Sequence, residues 1–357
     1  MVRQRPRPFQ LRLCQAWRLQ PQSGLRAEWE PYRARKSHES IYKLFLAGSG
    51  RCSLGRQYQW ARRMTPLFQS RTATLLSLPE EEIVLNIADE VPVRLVFNGI
   101  VPHGVMMMTP DHLTDFAYGY CLTEQIITKK NQIRSVSVLN DEDGLTLDVT
   151  ISGDRLSILL RRRPRAQTGH SGCGLCGTDT VLSVDAHEEV LFPINAKIAS
   201  TAILHALHDL EKWQTLNAMT RMVHGAAWAD QNGKIHLIRE DIGRHNALDK
   251  LIGALMCDDR LFENGFCLLT SRYSYEMALK TVRAGMATVV AVSAPTDRAF
   301  RLSQKMNQTL IAIARQDRQF VFCGEARLSR LPTNRKFYSV LATVFKRRSK
   351  CAMVFRF

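Results

Sequence analysis

No stretch of this 357-residue sequence is apolar for long enough to cross a bilayer. Its longest apolar runs, such as Ala287 to Val292, fall far short of the roughly 20 residues a membrane-spanning helix needs. The opening residues, MVRQRPRPFQLRLCQAWRLQ, lack the continuous apolar segment of a secretory signal, and none follows the Arg62, Arg63 pair. Neither membrane insertion nor export is expected. Acid is scarce at both ends: residues 1–72 hold 15 Lys and Arg against 3 Glu and no Asp, and residues 326–357 hold 9 basic residues and no acid. These arms carry the formal net charge of +16, because the 25 basic and 30 acidic residues of positions 73–325 leave the middle at −5. A folded body that grips nucleic acid is therefore not expected, although a basic arm could touch an anionic surface. A disulfide framework is also missing. The nine cysteines are odd in number and mostly isolated in apolar settings, which suits a reducing, cytoplasmic compartment and makes Cys121, Cys267 and Cys323 candidate core residues.

What the chain does have is HSGCGLCGTDT, His170 to Thr180, where Cys173 and Cys176 stand two residues apart among Gly172, Gly174 and Gly177. A thiol acts as a nucleophile through its thiolate, and cationic neighbours or free backbone N–H donors lower its pKa. Both are at hand: the glycines free the backbone to turn its N–H groups toward a sulfur, and Arg161, Arg162, Arg163 and Arg165 stand just upstream. Four readings remain open on spacing alone. A structural zinc site needs about four ligands, and no second C-x-x-C or His pair accompanies this one, with His170 and His187 the nearest candidates. A thioredoxin-like redox dithiol would follow a strand and open an amphipathic helix, unlike this motif. The other two are a pair of incidental thiols in a glycine-rich turn and covalent sulfur chemistry on a mobile loop.

Composition and periodicity divide the chain into a basic, disordered extension (1–72), an N-terminal subdomain (80–163), a C-terminal domain bearing the C-x-x-C loop (164–327) and a basic tail (328–357). Order is expected from near Glu82. Alternation in EVPVRLVFNG and the Asn98, Gly99 pair predict a hairpin, with VPHGVMMMT as its second strand and Met106, Met107 and Met108 as core. A helix from about Pro110 to Ile127, capped by Thr109 or Asp111, is followed by strands near 133–139 and 145–151 and a third over 155–161. Residues 199–218 read as one amphipathic helix, and 234–239 as a strand. From Gly265 strands and helices alternate, which predicts βαβ crossovers and an α/β fold with helices on both faces of its sheet. EDIGRHNALDKLIGAL, Glu240 to Leu255, sets Glu240, Asp241, Arg244, His245 and Asn246 where a strand hands over to an apolar-striped helix, a place where α/β proteins hold ligands. Capping and solvated charge explain the same residues equally well. Loops at strand ends with Ser271, Arg272 and Ser274, with Ser293 and Pro295, and with Arg315 and Arg318 would converge on one edge and suit a phosphate-bearing ligand.

Six segments in this order, DEVPVRLVFNG, MMMTPDHLTDFAYGYCLTEQII, SGCGLCG, EDIGRHNALDKLIG, SYEMALK and VSAP, resemble the formate dehydrogenase accessory sulfurtransferases, the FdhD family, over about 83–327. The resemblance implies a mixed-sheet core like that of cytidine deaminases, preceded by a smaller N-terminal α/β subdomain, in a homodimer. It implies a sulfurtransferase that takes persulfide sulfur from a cysteine desulfurase and passes it to molybdenum bis(molybdopterin guanine dinucleotide), bound as substrate, for the formate dehydrogenase catalytic subunit. No permanent cofactor or metal is implied. By position Cys173 would bear the persulfide and Cys176 assist the relay. Ile313, Ala314, Arg315, Gln316, Asp317 and Arg318 would bind the cofactor, with Arg272, Ser274, Asp241 and His245 around its guanine nucleotide. The deaminase signature H-x-E with P-C-x-x-C is absent. The chain departs from the family pattern at Arg221 and Asp317, where relatives have glycine, and an acid facing phosphate would weaken binding.

Overall fold

The computed structural model describes residues 66–161, 192–194, 197–258 and 265–329, all within the compact unit Leu54–Phe357; the other unit, Met1–Ser53, lies outside the described residues, as do Cys173, Cys176 and the tail from 330. Strand β1 (Phe68–Leu75) pairs antiparallel with β2 (Leu78–Ala88), so regular structure starts inside the segment read as an extension. Next come β3 (Val91–Phe97), β4 (Val101–Met108), helix α1 (Leu113–Thr123), β5 (Ile133–Asp141) and β6 (Gly144–Ile151). They form a four-stranded sheet in the order β4, β3, β6, β5, with β3 and β6 parallel and the other pairings antiparallel. The expected Asn98, Gly99 turn joins β3 to β4: both residues have positive φ, 52° and 69°, as a tight hairpin turn demands, and glycine meets that demand without steric cost. Alternation puts Val93, Leu95, Phe97, Leu147 and Val149 under Phe116, Ala117 and Cys121 of α1. The same alternation divides the methionines. Met108 is buried and Met106 packs at the core margin, whereas Met107, expected as core, faces out.

Residues 155–161, expected as a strand, belong to helix α2 (Gly153–Arg161). Leu156 and Leu159, one helical turn apart, both meet the core there, and the Arg155 guanidinium donates to the carbonyls of Ile126 and Gln125. Helix α1 is shorter than expected and takes neither proposed cap. His112, at φ 52°, is the N-cap residue, while Asp111 accepts from the His112 N–H and Thr109 turns toward β9.

The second sheet is six-stranded and mixed. After β7 (Ile198–Ala199), the single helix expected over 199–218 is two, α3 (Ser200–Trp213) and α4 (Thr215–Thr220), broken at Gln214. Then follow β8 (His224–Asp230), β9 (Ile235–Asp241), α5 (Arg244–Cys257), β10 (Gly265–Leu269), α6 (Tyr275–Arg283), β11 (Thr288–Ala291), α7 (Asp297–Lys305), β12 (Thr309–Ala312), β13 (Phe320–Cys323) and β14 (Leu328–Ser329). Strand order is β13, β12, β11, β10, β8, β9, with β10, β11 and β12 parallel through two βαβ crossovers; β14 pairs separately with β7. Side chains alternate between two apolar layers, as expected for a sheet covered on both faces. Cys267, Leu269, Val289, Leu310 and Ala312 face α5, α6 and α7, whereas Phe266, Leu268, Val290 and Ile311 face α3. The fold is mixed α/β.

Helices α1 and α5 join the two sheets at backbone distance. A Cβ on Gly119 would lie 1.8 Å from the Asp249 carbonyl oxygen, and one on Gly253 1.8 Å from that of Asp115. Only glycine fits at either position.

Candidate functional site

The sheet gathers its functional loops for a topological reason. Three parallel strands end at one edge, β9 ends there, and β8, antiparallel to β10, begins there. Hydrogen bonds zip these loops together: Tyr273 N–H to the Ala294 carbonyl (3.2 Å), Thr296 N–H to Tyr273 (3.0 Å), Ile313 N–H to Ser293 (3.1 Å) and Ala314 N–H to Ala291 (3.1 Å). His245, Arg272, Ser274 and the segment from Ile313 to Arg318 thus share one edge, as the sequence suggested.

Asp241 is part of this edge but turns inward. Its carboxylate is fully buried and accepts from four donors: Thr109 N (3.1 Å), Gly243 N (2.7 Å), Asn246 Nδ2 (3.1 Å) and Lys250 Nζ (2.6 Å). Lys250, also fully buried, donates to the Thr109 carbonyl as well (2.9 Å). This node ties β4, β9 and α5 together, and its acceptor capacity is spent inside the protein. Glu240 is likewise structural. Burial raises its pKa, and it accepts from the N–H groups of Leu216 and Asn217 (2.8 and 2.9 Å), capping α4. A second buried pair lies deeper: Lys280 Nζ donates to Asp249 (2.8 and 3.1 Å), Thr123 (2.9 Å) and Glu124 (3.3 Å). Burial pushes the Asp249 carboxyl up, while for Lys280 the burial is outweighed by Asp249 and Glu124, which keep it charged.

The outward side of the edge is built differently. Arg244 Nε, His245 Nε2 and Ser274 Oγ are buried atoms without a hydrogen-bond partner among the described residues. His245 is held neutral, its pKa lowered to about 3 by burial, then by Lys280 and Arg244, with Glu124 opposing and His224 adding. His224 is also lowered, by burial and then by Arg244 and Arg272, against Asp241. These shifts put Arg244, Arg272, His224 and His245 within electrostatic reach of one another. Ser274 is the N-cap residue of α6, where unpaired N–H groups favour an anion. Arg315, Gln316, Asp317 and Arg318 are exposed in a turn closed by the Arg315 N–H on the Arg318 carbonyl (2.7 Å), and Ala314 is buried beneath them. Ile313 enters that turn at φ 50°, a conformation a β-branched residue adopts only under constraint.

His224 and the pair Asp249–Lys280 escaped the sequence reading. Asp249, Lys250 and Lys280 left a signal, charge within otherwise apolar helix stretches, which calls for a buried partner. His224 left none. Of the cysteines expected in the core, Cys121 and Cys267 are buried and their thiol pKa values raised by burial; Cys323 is half-buried, and its thiol donates to the Gln308 carbonyl (3.3 Å).

Both C-x-x-C cysteines lie outside the described residues, but the chain re-enters them at Phe192. The Phe192 N–H donates to the Met306 carbonyl (3.2 Å), and Asn307 Nδ2 and the buried Arg327 guanidinium donate to the Phe192 carbonyl. This anchor sits where the parallel strands begin, opposite the edge holding His245 and Arg272.

A family model described as FdhD/NarQ family matches residues 88–329. A protein named Sulfur carrier protein FdhD from Xanthomonas euvesicatoria pv. vesicatoria (strain 85-10) is 42% identical over 242 residues, 68% of this chain and 85% of that one. Its namesake from Bordetella parapertussis (strain 12822) is 39% identical over 249 residues, 68% of this chain and 87% of that one. Among solved structures, a putative formate dehydrogenase accessory protein from Desulfotalea psychrophila superposes with a TM-score of 0.60 at 22% identity, covering 74% of this chain and all of that one, a likeness of fold.

Proposed function

The chain belongs to the FdhD/NarQ family, and from that membership we propose that it is a sulfurtransferase: it carries sulfur on Cys173 and delivers it to molybdenum bis(molybdopterin guanine dinucleotide) for formate dehydrogenase. The Cys173 thiolate attacks the outer sulfur of a cysteine desulfurase persulfide. A Cys173 persulfide forms and the desulfurase thiol is released, with no net change in oxidation state. Attack by the Cys176 thiolate on the inner sulfur then expels hydrosulfide, which replaces an oxo ligand of the molybdenum substrate, the displaced oxygen leaving as hydroxide. The resulting Cys173–Cys176 disulfide is returned to two thiols by a dithiol reductant.

One observation in this molecule carries the substrate half of the reading: three buried polar atoms, Arg244 Nε, His245 Nε2 and Ser274 Oγ, stand unpartnered among the described residues beside Arg272, at the edge that also holds Arg315 and Arg318. Buried polar groups are ordinarily paired, so such a group is poised for a ligand that completes it. Guanidiniums suit the pyrophosphate of the guanine dinucleotide, and the neutral imidazole and hydroxyl suit its uncharged hydrogen-bonding groups. Asp241 supports this surface from below instead of touching the nucleotide. The same reading makes the chain a homodimer and gives residues 164–327 a cytidine-deaminase-like core.

Incubation with a cysteine desulfurase and cysteine should add to Cys173 a sulfur atom that reductant removes, seen by mass spectrometry. Cys173→Ala should abolish activation of formate dehydrogenase. If Cys173 gains no sulfur, and Cys173→Ala activates normally while Arg315→Ala and Arg318→Ala do not, the chain is a cofactor-binding chaperone and the sulfurtransferase reading fails.

A further inference from the structure

Tyr273 stands between Arg272 and Ser274, two residues of the nucleotide edge, and its own side chain runs the other way. Ser271 and Tyr273 are buried, whereas Arg272 is exposed. An extended stretch imposes such alternation, and Tyr273 sits in one. It forms a parallel bridge with Pro295, its N–H donates to the Ala294 carbonyl (3.2 Å), and its carbonyl accepts from the Thr296 N–H (3.0 Å). Whatever fixes the Tyr273 ring therefore also fixes how Arg272 and Ser274 are presented.

The ring is fully buried in the apolar layer that holds Cys267, Val289 and Leu310. Its hydroxyl lies 2.7 Å from Thr281 Oγ1 and donates to Gln308 Oε1 (2.9 Å). Gln308 Oε1 also accepts from Ser303 Oγ (2.8 Å), and Gln308 Nε2 donates to the Met286 carbonyl (2.7 Å) and to Thr281 Oγ1 (3.2 Å). Both donors and both acceptor positions of that amide are thus in use. Thr281, Ser303 and Gln308 are fully buried as well. Burial pushes the phenol pKa up, so the group stays protonated and keeps its donor. Met286 and Gln308 come just before β11 and β12, where the parallel strands begin, while Arg272 and Ser274 follow β10, where they end. One side chain therefore ties the ligand edge to the opposite end of the strands. Apolar packing alone would be met by phenylalanine; a buried hydroxyl on a saturated amide also fixes where the ring ends.

We propose that Tyr273 is a positioning residue of the nucleotide edge: its phenol, held by Gln308 and Thr281, sets the loop that presents Arg272 and Ser274 to the guanine nucleotide. The inference rests on the nucleotide reading above and deepens it.

Calorimetric titration with guanosine diphosphate, combined with hydrogen exchange of the folded full chain, tests this. Tyr273→Phe keeps the ring and should lower nucleotide affinity about 10-fold. Exchange should quicken at the amides of positions 273 and 296, with those of β11 and β12 protected as in wild type. Thr281→Val removes the hydroxyl beside the phenol from a buried helix position that no ligand reaches, and should lower affinity about 3-fold. Added to Tyr273→Phe it should cost little more, because both break one link. Thr281→Ser, which keeps the hydroxyl, should bind as wild type does. A wild type that binds no guanosine diphosphate overturns the nucleotide reading and this role with it. Wild-type affinity in both Tyr273→Phe and Thr281→Val, alongside a loss in Arg272→Ala, overturns the role of Tyr273 alone. If exchange in Tyr273→Phe quickens throughout β10, β11 and β12, the weaker binding comes from a loosened core and the proposal also fails.

Discussion

Asp241 ends β9 and His245 lies in the first turn of α5, four residues on, and their surroundings are opposite. The Asp241 carboxylate has four donors and no exposure. His245 Nε2, with Arg244 Nε and Ser274 Oγ, is buried without a partner among the described residues. A saturated polar group has its interaction energy committed to the fold, and removing a partner strands a buried charge. An unsaturated one weakens the fold until a ligand completes it. Two residues drawn from one motif therefore differ: the acceptor capacity of Asp241 is spent inside the fold, while His245 Nε2 is left unsatisfied among the described residues, as the proposed nucleotide site requires.

The largest test of this contrast is Lys250→Met. It leaves the Asp241 carboxylate buried without its cation and should cost about 3–5 kcal/mol in denaturant unfolding; a loss below about 1 kcal/mol would mean that the node is not structural. On the receptor side, Arg272→Ala should leave stability within about 0.5 kcal/mol yet lower guanosine diphosphate affinity about 10-fold in calorimetry, near 1.4 kcal/mol. Equal affinity in the two proteins would remove Arg272 from the site. Acid sharpens the comparison further. His245 titrates near 6.5 when unfolded and near 3 when folded, so below pH 6.5 the unfolded chain binds the extra proton and the fold loses stability as pH falls toward 3. The slope from this residue is at most about 1.4 kcal/mol per pH unit. His245→Asn should flatten that part of the profile, and an unchanged slope would show that His245 is not held neutral. The smallest effect belongs to neither side. Arg221 ends α4 at φ 60°, where glycine carries less strain, so Arg221→Gly should raise unfolding stability by about 0.5–1 kcal/mol without changing nucleotide affinity.

The parts of the fold legible in the sequence are those set by local chemistry. Asn98 and Gly99 announce a turn because few residues tolerate positive φ, and strands β3 to β6 and β9 to β12 announce themselves by apolar alternation or apolar runs, whereas β7 and β8 did not. Where local preference is weak, packing chose. RLSILLR reads as a strand until Leu156 and Leu159 find the core one helical turn apart, and Gln214 divides a helix that the apolar pattern runs straight through. The hairpin at 68–88 is exposed on both faces beyond its root, so its strands lack the apolar alternation that a buried face imposes.

The sequence by itself determined the family and the alternating strands and helices of the second half, because six motifs and a strand-helix rhythm are local properties of the chain; that Arg272, Ser274 and Arg315 share an edge was expected only for a suitable strand order, which the tertiary structure supplied. Only the tertiary structure decided that Asp241 faces inward while His245 Nε2 stays unpaired. Lys250, His224 and Lys280 come from three separate elements, α5, β8 and α6, and which carboxylates the two lysines meet depends on how those elements pack, with α1 and α5 crossing closely.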